Sequence, residues 1–177
     1  MKKLLSLLAV TVLGSVVSGC AGMPAKQDTP MASYNNLIVR PINWSETVTD
    51  KISGEEAKTF AAAQPQLSQI FQSEFDKYIV ETGYFASVKQ SSDACTDASA
   101  LVLEPKIATL DPGIRWVIGG IASYQGVLKT CEGKVVAKYS ASRKVGRPVY
   151  STMMGSIETL VKELGEDAAS KLPEAVL

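Results

Sequence analysis

The chain changes its hydrophobic period several times, and each change predicts an element. Leu37-Ile38-Val39-Arg40-Pro41-Ile42 is a short β-rich run, with Pro41 suited to a strand terminus or an edge. Ser53-Gly54-Glu55-Glu56 has capping-box form and predicts a small helical turn ahead of Ala61-Ala62-Ala63. Pro65 then suits the first turn of a long helix, in which Leu67, Ile70, Phe71, Phe75, Tyr78 and Ile79 share one face until Gly83 stops it. Tyr84 to Val88 predicts a brief second strand, and Lys89 to Ser99 a polar loop. Leu101, Leu103, Pro105 and Ile107 alternate with Glu104 and Lys106, the period of a half-buried strand, where Pro105 implies an edge or a bulge. Asp111-Pro112-Gly113 marks a turn into a further strand between Ile114 and Thr130. Glu132-Gly133 reverses the chain into Val135, Ala137, Tyr139 and Ala141. Ile157, Leu160, Val161, Leu164, Ala168 and Leu172 form one stripe along a C-terminal helix, with Gly165 as its weak point. The predicted order is β-α-β-β-β-β-α. Both helical stripes are buried most economically in an α+β fold, a mostly antiparallel sheet ending in a three-stranded meander with two helices packed on one face.

Composition narrows the chemistry more than the fold. The chain has 177 residues, 46% hydrophobic and 20% charged, as expected of one ordinary globular domain. Lys and Arg number 18, Asp and Glu also 18, a balance that points away from nucleic acid. Histidine is absent, which excludes Ser-His-Asp and Cys-His pairs, His-ligated zinc and a His proton shuttle. Nor does the chain contain G-x-S-x-G, S-x-x-K, G-x-G-x-x-G, a Walker loop or C-x-x-C. The expectation is therefore no catalytic residues, no metal and no cofactor.

The first residues read as a targeting segment. Lys2 and Lys3 precede an apolar run from Leu4 to Val17, shorter than the about 20 apolar residues a membrane-spanning helix needs. Val17-Ser18-Gly19-Cys20 follows, and here the chain resembles bacterial lipoprotein precursors, whose lipobox ends in a cysteine. The resemblance implies cleavage after Gly19 and acylation of Cys20 on both sulfur and the new amino group. More than one acyl chain holds a protein durably on a membrane. Ala21, rather than an inner-membrane-retaining aspartate, favours the outer membrane with the domain facing the periplasm. The expected organisation is a signal peptide over 1–19, a lipidated cysteine and flexible tether over 20–36, and one α+β domain over 37–177. The membrane is then one partner, and an envelope protein the expected second.

A further resemblance covers roughly residues 35–175. The succession NLIVRPI, a long helix closing on ETGYFASV, ASALVLEPKI, RWVIGGIASYQGVLK, a hairpin and a C-terminal helix resembles bacterial lipoproteins carrying domain of unknown function 4410. That family implies an envelope domain without an established reaction.

Few side chains invite a role of their own. With Cys20 acylated, Cys95 and Cys131 are the remaining thiols, and an oxidising periplasm predicts a disulfide between them. Antiparallel pairing of the Leu101 strand with the strand ending at Thr130 would bring both to one end of the sheet. Glu55 with Glu56, and Glu166 with Asp167, read as solvated neighbours, whereas Glu104 and Asp111 flank one strand end and could face a cleft. Gly119, Gly120 and Gly126 predict close approach to their strand, either a bulge or crowded helix packing or a ligand. Arg115 and Trp116 beside the Asp111 turn could form a binding tip. Arg143, Lys144 and Arg147 end a basic hairpin that could meet an anionic partner, or the acidic C-terminal helix of the chain itself. These features point to a non-enzymatic accessory or interaction module. The alternative is a carrier holding a lipid or amphiphile between helix and sheet, in a cavity lined by Phe71, Phe75, Tyr124 and Leu128.

Overall fold

The computed structural model describes residues 33–49, 51–114, 118–146 and 152–176. The expected signal peptide, Cys20, most of the expected tether, Arg115, Trp116 and Arg147 lie outside the described residues. The elements run β1 (Asn36–Val39), β2 (Val48–Thr49), α1 (Gly54–Glu81), β3 (Ser87–Gln90), β4 (Ala100–Asp111), β5 (Ile121–Thr130), β6 (Val135–Lys144) and α2 (Met153–Val176). The sheet is mixed, ordered β3-β1-β4-β5-β6, with β2 also against β4. Strand β1 pairs in parallel with β3 and β4, β2 pairs in parallel with β4, and the long β4, β5 and β6 form the predicted antiparallel meander. Both helices pack against the sheet, as an α+β fold.

Proline explains two departures from the predicted elements. Helix α1 starts at Gly54 and runs unbroken through Pro65, absorbing both the predicted small turn and the main helix. A proline there removes an amide hydrogen bond to the preceding turn, and tertiary contacts offset that loss. Trp44 meets Phe60 edge-on at 5.7 Å, and its indole N–H donates to Ser68 Oγ at 2.8 Å, clasping the helix on both sides of Pro65. Ser53 sits extended at the N-cap, but its side chain makes no capping hydrogen bond. At the other end Gly83 turns to φ +62 and donates to Val80 O, stopping the helix where expected.

Pro105 lies in an interior strand, yet at a break in its neighbour. Leu103 O accepts from Arg40 N and Pro105 O from Asn43 N, so both residues turn their backbone toward the β1 side of β4. There β1 has ended at Val39 and β2 has not begun at Val48, so the missing N–H deprives no strand ladder. The register of β4 with β5 shifts two residues further on, between Ile107 and Thr109. The strand predicted from Ile114 instead begins at Ile121, and ahead of it Ile114 and Ile118 exchange backbone hydrogen bonds with each other.

The core lies between sheet and helices. Leu67, Phe71, Phe75 and Ile79 of α1, Ile157, Leu160, Val161, Leu164, Ala168 and Leu172 of α2, and Leu101, Leu103, Ile107, Tyr124 and Leu128 of the sheet are fully buried. Burying each large side chain contributes roughly 1.5–3 kcal/mol. At Gly165 the two helices approach closely. A Cβ there would lie 2.7 Å from Phe71 O, so the residue that weakens α2 as a helix is needed for its packing.

Candidate interaction surface

The carboxylates that could have served chemistry are separately engaged. Glu104 pairs with Lys129 at 2.6 Å, and Asp111 with Lys51 at 2.6 Å. They stand seven residues apart along β4, roughly 23 Å at strand rise, well beyond the about 5–10 Å of a glycosidase pair. Glu55 holds Lys58 on the exposed start of α1. Among the described residues no group of three or more His, Cys, Asp or Glu gathers as a metal site. Asp76, which its sequence context did not single out, has its carboxyl held above its ordinary value by burial, and it accepts from Gln90 Nε2 at 2.8 Å. That contact ties α1 to β3.

Phe71, Phe75, Tyr124 and Leu128 form packed core. The rings of Phe71 and Tyr124 lie 5.4 Å apart, those of Phe71 and Phe75 6.0 Å, and all four side chains are fully buried. Gly126 makes room for this packing. A Cβ there would press on the Tyr139 ring and come within 2.7 Å of Tyr124 Oη. Gly119 and Gly120 likewise permit close approach, the former to Val145 O and the latter to Asp111 O and Leu160. Crowded packing, not ligand access, accounts for the glycines.

Open grooves lie at the surface. One of about 500 Å³ runs between the helices beside Gln66, Gln69, Glu74 and Lys162. Another of about 570 Å³ lies between α1 and the β3 edge, lined by Pro41, Pro65, Gln72 and Gln90 among others.

Cys95 and Cys131 are joined by a disulfide, with Cα atoms 5.1 Å apart. The register Leu101↔Thr130 brings them together, as the sequence predicted. The bond pins the 91–99 loop, which also takes hydrogen bonds from Arg40 to Ser91 O and Asp93 O, and from Asn36 to Asp97 and Ser99.

The predicted basic hairpin divides into two parts. Arg143 turns to the helix face, where its guanidinium donates to Glu163 at 2.7 Å and Asp167 at 3.3 Å. It therefore belongs to the internal pairing of β6 with α2, not to a free basic surface. Its facing follows from the register Ala122↔Arg143, since Ala122 is buried toward the helices. Lys144, opposite Ile121, is exposed on the sheet face without helices. Beside it on that face stand Ser142, Ser140 and Lys138, aligned with Ser123, Gln125 and Val127. At the Asp111 end, Val48, Ile114, Ile118 and Ile121 remain 43–55% exposed. The sequence singled out Arg115 and Trp116 here but not these aliphatic neighbours.

No protein-family model and no curated protein matches the chain. Similar solved structures include PelC from Paraburkholderia phytofirmans, determined as a dodecamer, at 13% identity over 76% of this chain and 89% of that one, with TM-score 0.47. A protein of Xanthomonas campestris assigned to domain of unknown function 330 gives 12% identity, 76% and 81% coverage, and TM-score 0.48. A minor lipoprotein from Acinetobacter baumannii gives 14%, 80% and 91%, with TM-score 0.37. Likeness of this order does not carry a function across.

Proposed function

We propose that this chain is a lipid-anchored protein of the bacterial outer membrane whose periplasmic domain is a non-enzymatic interaction module. The use of its cysteines carries the reading. Two of the three are spent on the Cys95–Cys131 disulfide, a bond suited to an oxidising compartment, and the third ends the apolar leader at Val17-Ser18-Gly19-Cys20. Ala21 favours the outer membrane, and the tether beyond Cys20 gives the domain reach on the order of 50 Å when extended. Separate engagement of Glu104 and Asp111 by lysines supports a module without catalysis. The filled core around Phe71 and Tyr124 favours it over a carrier with a lipid between helix and sheet.

Metabolic labelling tests the anchor. Palmitate should enter the wild-type protein and not Cys20→Ala, which should also leave the membrane fraction. Labelling that persists in Cys20→Ala would refute the assignment. Hydrolysis of peptidoglycan, lipid or peptide by purified protein, lost in Glu104→Ala or Asp111→Ala, would refute the non-enzymatic part.

A further inference from the structure

Strand β6 ends the sheet, and among the described residues no strand pairs with its outer edge. It runs for 10 residues without proline, glycine or an acidic side chain. Its outward hydrogen-bonding groups can be identified. Val145 N donates to Gly120 O at 3.0 Å, so residue 145 faces β5, and strand alternation turns the backbone N–H and C=O of Lys138, Ser140, Ser142 and Lys144 to the open side. The side chains of the same four residues project onto the helix-free face, in line with Val127, Gln125, Ser123 and Ile121.

An open edge of this length is a template for another strand, and its charges govern what pairs with it. Several cations of this domain are paired, and others, Lys77, Lys89 and Lys171 among them, hold no carboxylate among the described residues. Lys51, Lys106, Lys129 and Arg143 each hold a carboxylate. Among the described residues Lys134, Lys138 and Lys144, at or within β6, hold none. A second copy docking edge to edge would bring these lysines together with no carboxylate on the strand to answer them. An acidic extended segment meets both the unpaired amides and the unpaired charges, the requirement for strand addition with charge-set specificity.

We propose that the open edge of β6 receives an acidic, extended segment of a partner protein as an added strand, bonded to the backbone of Lys138, Ser140, Ser142 and Lys144, with carboxylates beside Lys138 and Lys144. This names the partner chemistry of the interaction module and rests on that reading. The full chain in detergent is titrated by fluorescence anisotropy against a labelled peptide alternating Glu and Thr over the length of β6. A second peptide of equal charge, with proline in place of each Thr and every Glu N-methylated, can donate from no backbone position whichever way it runs along β6. Vesicles of phosphatidylglycerol provide the lipid comparison. Ser142→Pro removes one outward N–H without touching the β5 ladder, and Lys138→Glu/Lys144→Glu reverses the charge. The Glu-Thr peptide should bind, the proline peptide should not, and each variant should weaken binding by about tenfold or more. Should Ser142→Pro fail to fold by circular dichroism, the contrast between the two peptides decides alone. Absence of Glu-Thr binding, or equal binding of the proline peptide, overturns the proposal. So does vesicle binding that is lost in Lys138→Glu/Lys144→Glu but kept in Ser142→Pro without peptide binding, which would make an anionic membrane the occupant. Peptide binding should be unchanged in Cys20→Ala, so failure here and failure of the anchor are separable.

Discussion

Tyr124 and Tyr139 stand on neighbouring strands with their hydroxyls 3.0 Å apart, each the other's partner under the helices. Burial holds both phenols above the usual tyrosine range. Removing one hydroxyl leaves the other desolvated and unpaired, a loss of about 1–3 kcal/mol, whereas removing both is close to neutral. Tyr124→Phe and Tyr139→Phe should therefore each lower the unfolding free energy in urea, and the double variant should cost less than the two summed. Simple addition would show that the hydroxyls act independently. The pH dependence has a fixed sign. A phenol raised in the folded state loses its proton more readily when unfolded, so its stabilisation is present below pH about 10 and is lost as pH rises beyond that. Wild type should thus destabilise in alkaline urea titrations more steeply than the double Phe variant. Alternation placed Tyr124 and Tyr139 on inward faces. Their meeting depends on the Gly126↔Tyr139 register and the bare Cα of Gly126, which no single strand encodes.

Elements were legible where their period was regular and misread where proline or glycine served tertiary packing. The stripes of α1 and α2 and the alternation of β4 and β6 carried the architecture, because burial on one face leaves a periodic trace. The start of α1 escaped because Pro65 reads locally as a first-turn residue, and the clasp of Trp44 on Phe60 and Ser68 lies outside the helix. Replacing Pro65 by Ala should restore the interior hydrogen bond and raise stability by about 1–3 kcal/mol, measured as a higher midpoint in urea. An unchanged or lower midpoint would mean that Pro65 packing outweighs its helical cost. The parallel pairing of β1 with β3 and β4 also escaped, since four-residue strands leave almost no periodic signal. The candidate surface was half legible. Charge composition marked the hairpin as basic, but only register separates Arg143, facing α2, from Lys138 and Lys144, facing out.

At the scale of the whole molecule, the chain enters the sheet at Asn36, paired with Ala100 near the Cys95–Cys131 bond. The exposed aliphatic end at Ile114 and Ile118 lies at the opposite end of β4, about 36 Å away at strand rise. The disulfide closes a sequence separation of 36 residues, worth at most about 4 kcal/mol by chain entropy. With the proposed anchor, this bond divides the three cysteines, one for lipid and two for the fold. Intact-mass spectrometry of the protein extracted from membranes without reductant tests this division most directly. The expected mass is that of a chain beginning at Cys20, heavier by its acyl groups and lighter by the two hydrogens of the Cys95–Cys131 bond. An unacylated chain that retains residues 1–19, or one whose Cys95 and Cys131 both react as free thiols, would contradict it.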